Sequence, residues 1–235
     1  MAQDDRKSTR ASAKSAAKSP PRRRRDAEQT REDILQAALE EFSTMGHSGA
    51  RVDRIAARAG ISKPMIYDYF GDKDAIYAAA LREAYVQIRR GEADLALDPD
   101  NPRAAVRELV RFTMDHFRAK PWFIRMLNSE NLLGGETVAR LHDASEIQSI
   151  LVTRLSEVLE QGVRQGVFAR RVDPAEFYVF MASLCYFPIS NMHTLRAVFR
   201  LPIDDTWLDR RAEDAADMLL AYLSQAEDTA PPNEG

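Results

Sequence analysis

One cysteine, Cys185, stands alone among 235 residues. An intramolecular disulfide is therefore excluded, and a reducing cytoplasm is the expected setting. Long apolar runs are missing too. The most apolar stretch, Phe177 to Ile189, falls short of the ~20 residues that a membrane span needs and reads as a buried helix. No charged-then-apolar leader opens the chain, so a soluble protein with no membrane partner is expected. Glycine is scarce, ten in all, and strand-like alternation is rare, whereas Ala, Leu, Arg and Glu fill long stretches. That balance predicts an all-α protein. The four histidines, His47, His116, His142 and His193, are far apart, and HExxH, CxxC, P-loop, GxGxxG and GxSxG patterns do not occur. No metal, no cofactor and no enzymatic activity are expected. Cys185, inside an apolar helix, reads as a small core hydrophobe rather than a nucleophile.

What the chain does have is an uneven distribution of charge. Residues 1–31 hold ten Lys or Arg against four Asp or Glu, which leaves 23 basic against 32 acidic residues in the remainder. A basic arm on an acidic body confines polyanion contact to one end. Residues 1–26 are rich in Ser, Ala, Lys, Arg and Pro and contain too little apolar surface to offset their ordering entropy, so a disordered basic arm is expected there. The run Arg22–Arg25 is placed to touch phosphates or the minor groove. Helix 1 is expected to begin after Thr30, acting as its cap, with Ile34, Leu35, Ala38, Leu39 and Phe42 as its buried stripe and Gly46 at its end.

The segment Ile55 to Lys73, IAARAGISKPMIYDYFGDK, reads as a complete helix-turn-helix. Val52, Ile55, Ala56 and Ala59 recur at the spacing of one buried stripe. Gly60 supplies a left-handed C-cap at least cost, and Ile61 plugs the turn. Ser62 is a candidate cap for the second helix, and Pro64 falls in its first turn, where a missing N–H breaks no bond. Ile66, Tyr69 and Phe70 share one side of this helix; Lys63, Pro64, Met65, Tyr67 and Asp68 occupy the rest. A packed face opposite a short exposed face is what a helix entering the major groove requires.

Thr30 to Leu81, with its helix-1 pattern, its IAARAGIS turn, YDYF and the GDKDAI opening of helix 4, closely resembles the DNA-binding domain of TetR-type bacterial transcriptional regulators. Two positions depart from the family pattern: Arg51 stands where Thr or Ser is frequent, and acidic Asp68 lies on the reading helix. The resemblance implies a repressor that binds a palindromic operator in double-stranded DNA as a homodimer and is released by a small-molecule effector. Lys63, Pro64, Met65, Tyr67 and Asp68 are the candidates to face the groove, and Arg51, Ser62, Tyr67, Tyr69 and Lys73 the candidates to hold phosphates. The other reading is a ligand-independent regulator or architectural DNA-binding protein.

The expected domains are the arm (1–26), the DNA-binding unit with the start of helix 4 (27–88), an effector-binding and dimerisation domain (89–226) and a disordered tail (227–235). Asp72 is a fitting N-cap for helix 4, which Gly91 and the DPDNP stretch should close. Further helices are expected from Asn101-Pro102, after Pro121, over roughly 144–166, from Asp173-Pro174, and over 205–224. The helix carrying Phe177 to Phe187 is apolar nearly all round, and with the last helix it exceeds what one monomer can cover. The surplus on the helices of Phe180, Leu184, Leu219 and Leu223 points to a dimer, as the family resemblance also implies.

Trp122, Phe123, Tyr178 and Tyr186 are candidates to line a sensor pocket, with Asn128, Asn131, Asn191 or His193 orienting the ligand. The stretches PWFIRMLNSENL and YFPISNMHTL are similar to a TetR subgroup that senses small polar heterocycles. Arg118, Lys120 and Arg125, near Trp122, suggest a polar or anionic ligand with a flat ring.

Overall fold

A computed structural model of the chain describes residues 22–141 and 143–226, without the side chains of 22–25 and 144–149. The described residues form helices and connecting turns, with no strand among them. In chain order the helices are α1 (Arg22–Gly49), α2 (Val52–Ala59), α3 (Lys63–Phe70), α4 (Lys73–Ala93), α5 (Pro102–Ala119), α6 (Pro121–Leu132), α7 (Glu136–Ala139), α8 (Ala144–Arg164), α9 (Pro174–Ser190), α10 (Met192–Phe199) and α11 (Asp205–Ser224).

Local chemistry accounts for most of the boundaries. Gly60 ends α2 in the left-handed region (φ 69°), and the Ile61 amide then donates back to the Ala56 carbonyl at 3.1 Å. Asp72 accepts from the Ala75 amide to open α4, Asn101 from Ala104 to open α5, and Asp204 from Trp207 to open α11. Asp173 accepts from both Ala175 and Glu176 at the start of α9.

Several boundaries differ from the sequence expectation. The first helix begins at Arg22, so residues 22–26 of the expected arm are helical, while 1–21 lie outside the described residues, as does the tail 227–235. Thr30 is not a cap. Its hydroxyl donates to the Asp26 carbonyl one turn back, inside the helix. Ser62 precedes α3 without a side-chain cap bond. Gly91 does not close α4, which runs on to Ala93. Its role is close approach: a Cβ there would lie 2.5 Å from Phe112 Cζ on α5. The stretch after Ser190 forms a separate helix, α10, that the sequence pattern did not reveal.

One buried core runs through both parts of the molecule. Ile34, Leu39 and Phe42 of α1 pack with Ile55, Ile66 and Ile76 in the N-terminal head, and Ile88, Leu109, Met126, Leu155, Met181 and Leu223 continue it through the body. Polar contacts join head and body, among them two to α6. Arg125 Nε on α6 donates to the Ser43 carbonyl on α1 at 3.1 Å, and Tyr77 OH on α4 donates to Glu130 Oε2 on α6 at 3.1 Å. Glu130 also accepts from the Thr137 and Val138 amides that open α7. At the far end of α4, the Arg154 guanidinium of α8 donates to the carbonyls of Glu92, Ala93 and Leu95. No helix among the described residues is long and apolar enough to cross a membrane.

Candidate nucleic-acid interface and aromatic pocket

The exposed surface of α3 follows from the amphipathic division of its eight residues. Ile66 is fully buried, Tyr69 and Phe70 are half-buried, and Lys63, Pro64, Met65, Tyr67 and Asp68 face solvent. Arg51 and Ser62 are exposed at the starts of α2 and α3. Arg51 replaces the usual hydroxyl cap without supplying one. The α2 start is held instead by buried Glu41 of α1, whose Oε1 accepts from the Arg51 amide at 3.1 Å. The Arg51 side chain is exposed and takes no part in capping α2.

Asp53 organises the cations of this surface. Lys63 Nζ lies 2.9 Å from Asp53 Oδ1, and Arg51 lies 3.7 Å from its other oxygen. The Lys63 ammonium holds the Asp53 carboxyl below its ordinary value, and Asp53 in turn raises Lys63. An exposed carboxylate thus draws together the positive groups that open α2 and α3. Asp53 was not anticipated from the sequence, although its place in the first turn of α2 was a signal. Lys73, half-buried, donates to the Ser48 carbonyl at 3.4 Å and so sits against the α1–α2 connection beside the start of α4.

The second site is a pocket of about 320 Å³ bounded by α4, α5, α6 and α9 and open to the surface at Val179 and Ser183. Tyr85, Phe117, Phe123, Tyr178 and Tyr186 form aromatic walls, and Arg89 supplies the charge. The rings pack edge to face, Tyr85 on Phe123 at 6.2 Å and Phe117 on Tyr186 at 6.4 Å. Tyr186 donates to Asn128 Oδ1, and Asn128 Nδ2 donates to Ser190 Oγ at 3.1 Å. Arg89 lies over the Tyr178 ring at 5.0 Å, donates to the Tyr178 hydroxyl at 3.0 Å and pairs with Glu92.

This end of the molecule is not fully satisfied. Arg89 Nε, Glu92 Oε1 and His116 Nε2 are buried without a hydrogen-bond partner. Burial pushes Glu92 up to about 7 despite the Arg89 guanidinium beside it. Burial, helped by Lys120 and Arg89, pushes His116 down to about 4, so its ring is neutral at pH 7. A groove of about 740 Å³ between α5 and α11 is larger, and Arg111 and Glu213 in its lining pair with one another at 2.9 Å.

Of the ligand candidates, Phe123, Tyr178 and Tyr186 line the cavity, and Asn128 is bonded to Tyr186. Trp122 stands edge-on to Phe123 under Lys120. Asn131 is exposed and bonds to the Leu127 carbonyl, Asn191 follows the end of α9 and bonds to Phe187, and His193 is exposed on α10. These last three are not brought to the cavity. Nor are Arg118, which pairs with Asp115 and Asp209, and Arg125, which is tied to α1. The cation of the cavity is Arg89. Its signal was the spacing Tyr85, Arg89, Glu92, which places all three on one face of α4. Cys185 is buried near the Val110 carbonyl, and burial raises its thiol to about 12.

Residues 34–80 match the family described as "Bacterial regulatory proteins, tetR family", and residues 102–219 match "Tetracyclin repressor-like, C-terminal domain". The chain is 34% identical over 183 residues to the HTH-type transcriptional repressor NicS of Pseudomonas putida, covering 78% of this chain and 86% of that one. It is 31% identical to the HTH-type transcriptional repressor SCO4008 of Streptomyces coelicolor, covering 67% and 76%. The HTH-type transcriptional regulator RutR of Escherichia coli is 29% identical over 71% of this chain and 76% of its own. The fold is shared with a crystal structure of the putative transcriptional regulator SCO4942 of Streptomyces coelicolor, with a TM-score of 0.61 at 24% identity, covering 82% of this chain and 97% of that one.

Proposed function

The chain belongs to the TetR family of bacterial regulatory proteins, and from that premise we propose that it represses transcription as a homodimer on a palindromic operator until a small molecule releases it. It is a DNA-binding transcriptional regulator. The observation that carries the reading is the division of α3, with Ile66 fully buried and Lys63, Pro64, Met65, Tyr67 and Asp68 exposed. Lys63, Tyr67 and Met65 enter the major groove, Asp68 accepts from cytosine N4 or rejects other bases, and Arg51, Ser62, Tyr69 and Lys73 hold phosphates.

Dimerisation is supported by the outer side of the C-terminal helices. Val179, Phe180 and Phe187 on α9, Val198 and Phe199 on α10 and Met218 on α11 are all exposed, an apolar surface that a monomer would leave in water. Leu219 and Leu223, expected to contribute, are buried inside the monomer at 4% and 0% exposure, so the interface is carried by the opposite sides of those helices. The aromatic cavity on α4 is the effector site, with Phe123, Tyr178, Tyr186 and Asn128 as the ligand-binding residues foreseen and Arg89 as the one added. Release requires that the effector bind the DNA-incompetent spacing of the two heads more tightly than the competent one.

The test is selection of sites from random DNA with the full-length protein, followed by titration of the enriched duplex. Enrichment of an inverted repeat bound by two chains is the expected result. Binding without any enriched sequence would leave the architectural reading in its place.

A further inference from the structure

We propose that Asp53 is a positioning residue that sets the specificity of the DNA interface: it holds the Lys63 ammonium off the phosphates and leaves the remaining N–H groups of that ammonium for the edge of a base. This rests on the reading of α3 as the DNA-contacting helix and deepens it, because the residue that decides what Lys63 touches lies outside α3.

One carboxylate is shared across the two helices of the motif. Asp53 lies in the first turn of α2, and its Oδ1 is 2.9 Å from Lys63 Nζ at the start of α3. Its other oxygen is 3.7 Å from Arg51. All three side chains are exposed. The other two arginines of α2 turn to α1, Arg54 lying 3.7 Å from Glu41 and Arg58 pairing with Glu40. Asp53 is lowered and Lys63 raised from their ordinary values, so each stabilises the charged form of the other. Pro64 follows Lys63 and restricts its backbone, so the freedom left to the ammonium is mainly that of its stem.

The consequence for DNA follows from counting donors and charges. An ammonium has three N–H groups, and the carboxylate occupies one. A lysine free to swing on its four-carbon stem goes to a phosphate, which is the same in every sequence. Beside Asp53 that choice is penalised, because a phosphate brought to Lys63 also meets the carboxylate, like charge against like. The uncharged acceptors of a base edge, guanine O6 and N7 or thymine O4, meet no such repulsion and take the donors that remain. Asp53 therefore weakens the sequence-independent complex more than the operator complex. Arg51, held at the greater distance, keeps its donors for a phosphate. An exposed pair is individually weak, which sets the expected effect at a few-fold.

The test uses the full-length protein, its Asp53→Asn, Asp53→Glu and Lys63→Ala variants, and the Asp53→Asn/Lys63→Ala double variant. Each is titrated by fluorescence anisotropy against the enriched inverted repeat and against a shuffled duplex of the same composition. Asp53→Asn should tighten binding to the shuffled duplex by about fivefold and to the inverted repeat by no more than about twofold, so that the preference between them falls. Asp53→Glu, which keeps the charge, should retain most of the wild-type preference. With Lys63→Ala already present, Asp53→Asn should leave the preference unchanged. Equal tightening on both duplexes would overturn the proposal, since Asp53 would then act as a general repellent of DNA. A loss of preference that persists without Lys63 would overturn it as well, because the effect would not run through that ammonium. Lys63→Ala binding both duplexes like the wild type would remove the α3 reading itself.

Discussion

Acidification from pH 7.5 to pH 5 should change the stability of two single variants in opposite directions. His116 is neutral in the folded protein down to about 4, against 6.5 when exposed, because burial and the neighbouring Lys120 and Arg89 disfavour its charge. The unfolded chain therefore binds the extra proton first, and stability present above 6.5 is lost as pH falls towards 4. Glu92 runs the other way. Its folded value of about 7 lies above the ordinary 4.5, so the folded state holds a proton that the unfolded state has released, and stability is lost as pH rises from 4.5 to 7. At 1.36 kcal/mol per unit, each contribution amounts to roughly 2 kcal/mol between pH 7.5 and pH 5, with opposite signs. In the wild-type protein the two nearly cancel. His116→Leu, which leaves Glu92 alone, should gain about 2 kcal/mol on acidification relative to wild type, and Glu92→Gln should lose about as much. Urea unfolding at the two pH values measures this directly. The titrations of the surface carboxylates are common to all three proteins and drop out of the differences. Three parallel pH profiles would refute the reasoning, because they would mean that folding shifts the titration of neither group.

Other expectations follow from single contacts. Gly91→Ala should destabilise by about 1–3 kcal/mol in thermal or urea unfolding, because the new methyl meets the Phe112 ring at 2.5 Å. Lys63→Ala or Tyr67→Ala should weaken operator binding by ~1–3 kcal/mol in fluorescence anisotropy, whereas Asp53→Asn, which frees Lys63 and Arg51, should strengthen binding and steepen its salt dependence. Phe187→Glu and Met218→Glu, at side chains 57% and 55% exposed, should yield folded monomers by sedimentation, while Leu219→Glu should unfold the monomer itself. Deleting residues 1–21, with five Lys or Arg, should weaken DNA binding and flatten the slope of log K against log salt; an unchanged slope would show those charges to be idle.

What the sequence disclosed and what it hid divide along one physical line. Gly60, Asp72, Asn101 and Asp173 were legible because caps are decided within three or four residues of chain. Gly91 was misread because glycine serves both helix ends and close packing, and only Phe112, on another helix, tells which. Periodicity placed the buried side of α3 correctly, since an eight-residue helix against one core has one inward face. It could not say which side of α11 faces the monomer, since both are apolar: Leu219 and Leu223 point in, Met218 out. The cavity was half visible. Aromatic residues announced themselves, but the burial of Arg89, Glu92 and His116 depends on four helices meeting, which no local pattern records.

The way Arg154 grips the last carbonyls of α4, with Gly91 pressed on Phe112 beside it, gives that helix a fulcrum. Arg89 and Glu92 lie within the final turns, next to the fulcrum, and Lys73 lies at the opposite tip, in the head. A helix of 21 residues is about 30 Å long, so a rotation of about 5° about the held end carries the tip through roughly 2.5 Å. On that geometry a displacement of a few tenths of an ångström at Arg89 corresponds to one of ångström size at Lys73.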